Sequence, residues 1–241
     1  MKSKLFDIIY EDDDLLVINK KSGVLSIPDR FNKFAPNIYS QLNKHYGQVF
    51  IVHRLDRDTS GVMMFAKNAE THKQLNLDFE SNDIRRVYHT IVDGLVFKDN
   101  FEIDIPLRAS KKHLGTTIPS AKGKPSLTIV KVLERFRNQT LLECELKSGR
   151  HHQIRVHLKT IGHPLLVDEL YGKNSFFLLS YIKSKVNLKK GTEELPIISR
   201  LTMHSNYLEF THPTTKQRLS FKADYQKDFA ALLKILRKYA A

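Results

Sequence analysis

A chain of 241 residues, 41% hydrophobic and 27% charged, can bury a substantial core as one large domain or two small lobes. No apolar run approaches the ~20 residues a membrane helix needs, and the opening MKSKLFDIIYEDDD lacks the apolar stretch of a signal peptide, so membrane and export readings give way to a cytoplasmic one. Lysine and arginine total 39 against 26 acids, a net charge of +13 spread along the chain rather than gathered in a tail, which predicts a folded face for a polyanion, most simply nucleic acid.

In chain order, YEDDD (10–14) lies before an apolar strand and reads as a solvated hairpin turn, with a Mg²⁺ site as the alternative. LLVINK (15–20), GVMMFAK (61–67), VYHTIVDG (87–94), LTIVKVL (127–133) and TLLECEL (140–146) are short, apolar or alternating, and rich in branched residues, which predicts strands. Cys144, the single cysteine, falls in the last of these and is expected in the core. Helices are expected over 69–79, 153–161 and KDFAALLKILRKY, where Phe229, Leu232, Leu233 and Leu236 share one face. Before the last helix, 201–210 and 218–223 flank the turn-like THPTTKQ as a hairpin. Strands in runs, without a regular helix between them, predict an α+β fold: a central mixed, mostly antiparallel sheet flanked by helices and loops. Two stretches break the pattern. The basic, turn-rich 110–126 and the charged 183–196 are each either a mobile loop that closes on RNA or a solvated connection.

HRLDRDTSG (53–61) holds the first candidate chemistry. Thr59, Ser60 and Gly61 are turn residues, so Asp56 and Asp58 lie on a loop entering a strand. If that loop faced phosphates, both carboxylates would repel what Arg54 and Arg57 attract. Either the four charges pin a turn, or Asp56 acts on a ligand held by the basic surface, kept ionised by a neighbouring guanidinium. In KSGRHHQIRVHLKTIGHP (147–164), Gly149 and Arg150 mark a turn before a helix. Its histidines invite a metal, but His152 and His157 are five apart and point roughly 140° away from each other on a helix. With no cysteine pairs either, no metal site is expected. Arg155, beside Ile154 and Leu158, needs a buried anionic partner or must reach a ligand. Tyr88 either packs in its sheet or stacks on an unpaired base. No Walker loop, GxGxxG or GxSxG is present.

Taken together, IIYEDDDLLVINK, HRLDRDTSGVMMFAK, RRVYHTIVDG, AKGKPSLT, SGRHHQIRVHLKTIGHPLLVDELYG and LTMHSNYLEFTHP resemble, in this order, the RluA-type pseudouridine synthase family. The resemblance implies one catalytic domain over 1–241, or two sublobes sharing a sheet, without the small N-terminal S4-like RNA-binding domain of many relatives. It implies a cofactor-free isomerase, active on ribosomal or transfer RNA as a monomer, that detaches uracil from its ribose, turns it and rejoins it through C5. Asp56 matches the catalytic aspartate, Arg155 the arginine that pairs with it, and Tyr88 the tyrosine that stacks on uracil and assists proton removal. Arg54 matches an arginine that fills the space left by the extruded base. Arg54, Arg57, Arg150, His151 and Gln153 are the expected RNA contacts. Ordinary glycoside hydrolysis uses two carboxylates; an isomerase that returns the same base must withhold water, so one suffices, and Asp58 is left with a turn or ion-pair role. The alternatives are an RNA N-glycosylase using both carboxylates, and a non-catalytic RNA-binding or ribosome-assembly protein on the same fold. Lys21, His151 and Val167 depart from the family's usual proline, threonine and glycine.

Overall fold

A computed structural model describes residues 3–29, 32, 34–187 and 191–241. They form two compact units: Met1–Tyr88 with His204–Tyr225, and His89–Met203 with Gln226–Ala241. The strands are β1 (Phe6–Glu11), β2 (Leu15–Lys20), β3 (Phe50–Ile51), β4 (Ser60–Ala66), β5 (Arg85–Asp93), β6 (Asn100–Asp104), β7 (Leu107–Ala109), β8 (Thr117–Pro119), β9 (Leu127–Arg135), β10 (Gln139–Leu146), β11 (Met203–Thr211) and β12 (Arg218–Lys222). The helices are α1 (Ile38–Tyr46), α2 (Ala69–Glu80), α3 (Gln153–Thr160) and α4 (Lys227–Tyr239), with a 3₁₀ turn at Leu179–Tyr181. The fold is α+β.

In the first unit the strand order is β1-β2-β4-β11, with β3 on β4 and β12 on β11. Neighbours run antiparallel except β4 and β11, which are parallel, so the sheet is mixed. β4 is buried along its whole length, as a continuous apolar run requires when both faces are covered. Leu15, Val17, Val62, Met64, Leu75, Leu208 and Phe210 make up the core around it. The acidic run is the β1–β2 hairpin turn, and it is more engaged than a solvated turn. Asp12 accepts from the Asp14 and Leu15 amides at 2.8 and 2.7 Å, while Tyr10 and His212 reach its other oxygen at 2.6 and 3.0 Å.

The sequence reading missed α1. Asn37 caps it by accepting from the Ser40 amide and Gly47 ends it at φ 80°, but only Ile38 and Leu42 anchor it to the core. Two anchors four residues apart make a faint periodic signal.

In the second unit, which takes β5 from His89 onward, the order is β5-β10-β9-β6, with β7 and β8 as a separate pair. Cys144 is fully buried in β10, where burial pushes its thiol upward, away from reactivity. The predicted face of α4 is buried at Phe229, Leu232, Leu233 and Leu236, and Asp228 at its start receives both arms of Arg200 at 2.7 Å. The 110–126 stretch is more ordered than a loop, because β8 lies within it and pairs with β7 from Leu107↔Pro119 to Ala109↔Thr117. In 183–196, residues 188–190 lie outside the described residues, and the others form no helix or strand. Among the described residues, no helix is long and apolar enough to cross a membrane.

Gly61 makes the parallel pairing possible. It sits opposite Ser205 at φ 114°, and a Cβ there would lie 2.1 Å from the Ser205 carbonyl oxygen. Both backbone conformation and close approach demand glycine. Gly61→Ala is therefore expected to cost at least ~2 kcal/mol, read as a lower urea midpoint, and an unchanged midpoint would refute this account of β4 and β11.

Candidate active site

The loop that carries HRLD is fixed from below by a buried cation. Lys20, at the end of β2, is wholly buried, and its ammonium donates to the carbonyls of Lys21, Arg57 and Thr59 at 3.0, 2.8 and 2.8 Å. A buried charge is tolerable only when its hydrogen-bonding capacity is used, and an ammonium has three donors. Ser22 adds a bond to the Asp58 carbonyl at 2.8 Å, and Ser26 one to the Leu55 carbonyl at 2.8 Å. The loop is thus held by its backbone, with Leu55 and Thr59 turned inward and its charged side chains left uncommitted to that anchoring. Arg54, Arg57 and Asp58 are exposed and Asp56 is half-buried. Arg57 and Asp58 form only a loose surface pair at 3.9 Å, the kind that contributes little to stability.

His53 anchors the start of the same loop. Its Nε2 accepts from the Met64 amide at 3.1 Å, which requires the neutral ring, and the imidazole packs on Phe79. Burial, with the nearby Arg86 guanidinium, lowers its pKa to about 3.

Tyr88 belongs to the same unit as Asp56. It is buried on β5, and its phenol is hydrogen-bonded to Ser205, the residue that faces Gly61. Burial raises its pKa, the Asp56 carboxylate acts in the same direction, and Arg86 and Ser205 pull it back. Both readings of Tyr88 were left open by the sequence; the structure places the ring in the sheet with its hydroxyl tied. Arg86, which sequence reasoning passed over, precedes Tyr88 by two residues and so shares its strand face. It is 8% exposed, lies over the Phe79 ring at 5.2 Å, and its Nε meets no hydrogen-bond partner among the described residues.

The second unit contains Arg155, Arg150, His151 and Gln153. Arg155 is buried on α3 and forks onto Asp168, Nε to Oδ2 and Nη2 to Oδ1, both at 2.7 Å. Its guanidinium also lies 4.9 Å from the centre of the Tyr171 ring. Asp168 is itself fastened, its Oδ1 accepting from the amides of Leu170 and Tyr171 at 2.9 and 3.1 Å. The anionic partner that the apolar surroundings of Arg155 called for is therefore present. Sequence reasoning did not single it out, because PLLVDELY offers two adjacent acids, Asp168 and Glu169, and only the fold shows which of them turns inward.

Arg150 and His151 are exposed, although His151 bonds Thr117 Oγ1 at 3.1 Å and stacks on His152. Gln153 is different. It is 2% exposed, its amide nitrogen donates to Leu127 and Thr128, and its oxygen accepts from Ser148 and the Arg150 amide. Its carboxamide is spent on shaping the turn before α3. His152, just ahead of α3, adopts a left-handed φ of 55° and meets the Tyr171 hydroxyl at 2.8 Å. His157 is committed to Thr128 and the Ile105 carbonyl.

Comparison with known proteins agrees with the motifs. Residues 14–160 match the family described as RNA pseudouridylate synthase. The chain is 35% identical over 241 residues to "Uncharacterized RNA pseudouridine synthase YlyB" of Bacillus subtilis, covering 96% of this chain and 73% of that one. It is 34% identical over 214 residues to "Dual-specificity RNA pseudouridine synthase RluA" of Vibrio parahaemolyticus, covering 86% and 78%. A third relative, "Ribosomal large subunit pseudouridine synthase D" of Neisseria meningitidis serogroup B, is 34% identical over 238 residues, 96% of this chain but 61% of that protein, so the chain spans less than two thirds of its length. Among solved structures, "Human RNA Pseudouridylate Synthase Domain Containing 4" shares the fold at a TM-score of 0.71 and 21% identity, over 96% of this chain and 93% of that one. These are folds and sequences of one class, the RNA pseudouridylate synthases. The chain belongs to that family, as one of its RluA-type members.

Two outcomes follow from these side chains. Below about pH 6.5 the unfolded chain protonates His53 while the folded chain resists down to about 3, so stability falls with pH across that window. The slope from this residue is at most about 1.4 kcal/mol per pH unit. In urea titrations at pH 7 and pH 4, His53→Gln, whose carbonyl can still accept from Met64, should lose less stability on acidification than wild type; an equal loss refutes the assignment. Arg155→Leu leaves Asp168 buried without its fork and should cost ~3–5 kcal/mol. The double variant Arg155→Leu/Asp168→Leu should recover much of that in the same unfolding assay.

Proposed function

We propose that the protein is an RNA pseudouridine synthase that isomerises specific uridines in ribosomal or transfer RNA, with Asp56 as its essential carboxylate and Tyr88 and Arg155 as the other residues of the reaction. The observation that supports this most directly is the loop of Asp56, held rigid by Lys20 beneath it and electrostatically coupled to the buried Tyr88, in a chain of the RNA pseudouridylate synthase family.

The reaction breaks the N1–C1′ bond of uridine and forms a C5–C1′ bond; C5 gives up its hydrogen and N1 takes up a proton. Atoms and electrons balance within the nucleotide, so neither a redox cofactor nor a second substrate is needed. Asp56 serves the sugar or base at the reacting centre. One carboxylate is enough because water must be kept out, and Asp58, exposed and beside Arg57, is no candidate for the second member of a hydrolytic pair. Burial keeps the Tyr88 phenol neutral, while Arg86 and Ser205 offset part of that effect, which suits a group that helps move the C5 proton. Arg155, locked by Asp168 and Tyr171, brings a guanidinium whose orientation is fixed before substrate arrives. The target uridine must leave its stack, at a cost of a few kcal/mol. Phosphate contacts from the positive surface offset that cost, and Arg54, Arg57, Arg150 and His151 are exposed and available for them. The relatives' names, one for the large ribosomal subunit and one for dual specificity, support ribosomal or transfer RNA as the target. We place the activity in the cytoplasm and in a monomer.

The test is tritium release from RNA labelled at uracil C5, with EDTA present and free uracil followed in parallel. Wild type should release tritium without free uracil, and Asp56→Ala should release none while holding RNA at least as tightly, one repulsive charge having gone. Substantial turnover by Asp56→Ala would overturn the assignment of Asp56, and free uracil would make the protein a glycosylase.

A further inference from the structure

The second unit contains a cavity of about 520 Å³, lined in part by Asp93, Gln139, His163, Lys173, Phe177 and Tyr181. Every one of these residues belongs to that unit. The volume falls within the ~300–1,000 Å³ usual for small-ligand sites.

Two polar atoms on its wall are buried and meet no hydrogen-bond partner among the described residues, Gln139 Oε1 and His163 Nδ1. Gln139 is 6% exposed at the start of β10, where its carbonyl takes the Phe136 amide at 2.9 Å. His163 is likewise fixed, its amide donating to the Leu158 carbonyl at 2.9 Å. Both backbones are spoken for and both side chains are left over. Buried polar groups without partners are rare in folded proteins, and two on one cavity mark a place where something polar is to be received.

The chemistry of the walls narrows what that is. Asp93 and Lys173 stand 3.7 Å apart, so the cavity's one acid and one base largely cancel, and a phosphate finds little net attraction there. A carboxamide presents oxygen or nitrogen by turning over, and an imidazole nitrogen accepts or donates according to tautomer. Such a pair suits a flat, neutral group with donors and acceptors along one edge. Aromatic surface lies beside them: Phe177 is buried, Tyr181 is 53% exposed, and their rings meet edge to face at 5.5 Å. Polar edge readers next to an exposed aromatic ring are the elements with which proteins hold an unstacked base.

We propose that this cavity binds one unpaired nucleobase of the RNA at a position other than the reacting uridine. The inference rests on the RNA reading above. It gives the second unit a recognition site made of side chains that play no part in the reaction.

Fluorescence anisotropy with short single-stranded homopolymeric RNAs tests it on the full chain. Tyr181→Ala, at an exposed ring, should weaken binding about tenfold. Gln139→Leu should change the ranking of adenine, cytosine and uracil polymers. Crosslinking with 4-thiouridine RNA should reach the Leu179–Tyr181 turn in wild type and lose that product in Tyr181→Ala. Both variants binding every RNA as wild type does would overturn the proposal, as would free nucleosides competing for the cavity without any effect on RNA affinity. Tritium release separates the two readings. If wild type releases tritium while the variants bind RNA normally, the proposed function stands and the base pocket falls; if wild type neither binds RNA nor releases tritium, both fall.

Discussion

A buried ammonium holds the loop of Asp56 in place. Lys20 can be buried in the first unit only because three carbonyls surround it, and two of these, from Arg57 and Thr59, belong to that loop. Anchoring a loop through its carbonyls has a specific advantage: it fixes the backbone without using up any side chain that must face a ligand. It also ties the loop to strand register, because Lys20 is the last residue of β2 and faces Gly61 across β2 and β4. A slip of one residue would turn the lysine to the other face of the sheet and withdraw all three bonds. Gly61 then carries the constraint onward, since its missing side chain admits the Ser205 backbone, and the Ser205 side chain steadies Tyr88. A lysine, a glycine and a serine distant in sequence thus set the conditions under which an aspartate and a tyrosine can work together.

Positive charge is handled in different ways in the two units. In the second, Arg155 is a buried cation with a buried carboxylate in bidentate contact, an arrangement that fixes orientation and contributes little net stability. In the first, Arg86 is nearly as buried but rests on an aromatic face with one nitrogen unsatisfied. Its field reaches the two titratable rings beside it, adding to the burial that holds His53 neutral and offsetting part of the burial that raises the phenol of Tyr88. The net charge of +13 gives no hint of this difference, because it counts exposed lysines and buried arginines alike.

What the sequence made legible follows the strength of local pattern. β2, β4 and β10 are apolar or alternating over six or more residues, and the four apolar positions of α4 fall on one helical face, so each was readable. α1 and the short β3, β7 and β8 were not, since two or three residues carry no periodicity. Asp56 stood out because a carboxylate among arginines needs a reason. Lys20 did not, because nothing in LLVINK says that its last residue turns inward; that is decided by carbonyls 37 and 39 residues further on. Gln153 shows the reverse. A polar residue in a run of arginines and histidines looked ready for RNA, yet its carboxamide is taken up by the Arg150 amide of the preceding turn and by the Leu127 carbonyl.

The division of the chain into units has a consequence for biosynthesis. The chain leaves the first unit after Tyr88, builds the second through Met203, returns for His204–Tyr225 and ends in the second. Neither unit is therefore complete until the segment after residue 203 has emerged from the ribosome. Until then β4, mostly apolar and destined for burial along its whole length, lacks its parallel neighbour β11, which pairs with it 144 residues later in the chain. Closing so long a loop slows folding, and an unpaired apolar strand edge is an aggregation hazard while it lasts. During synthesis, then, this protein has a period in which SGVMMFA depends on chaperones or on speed for its solubility.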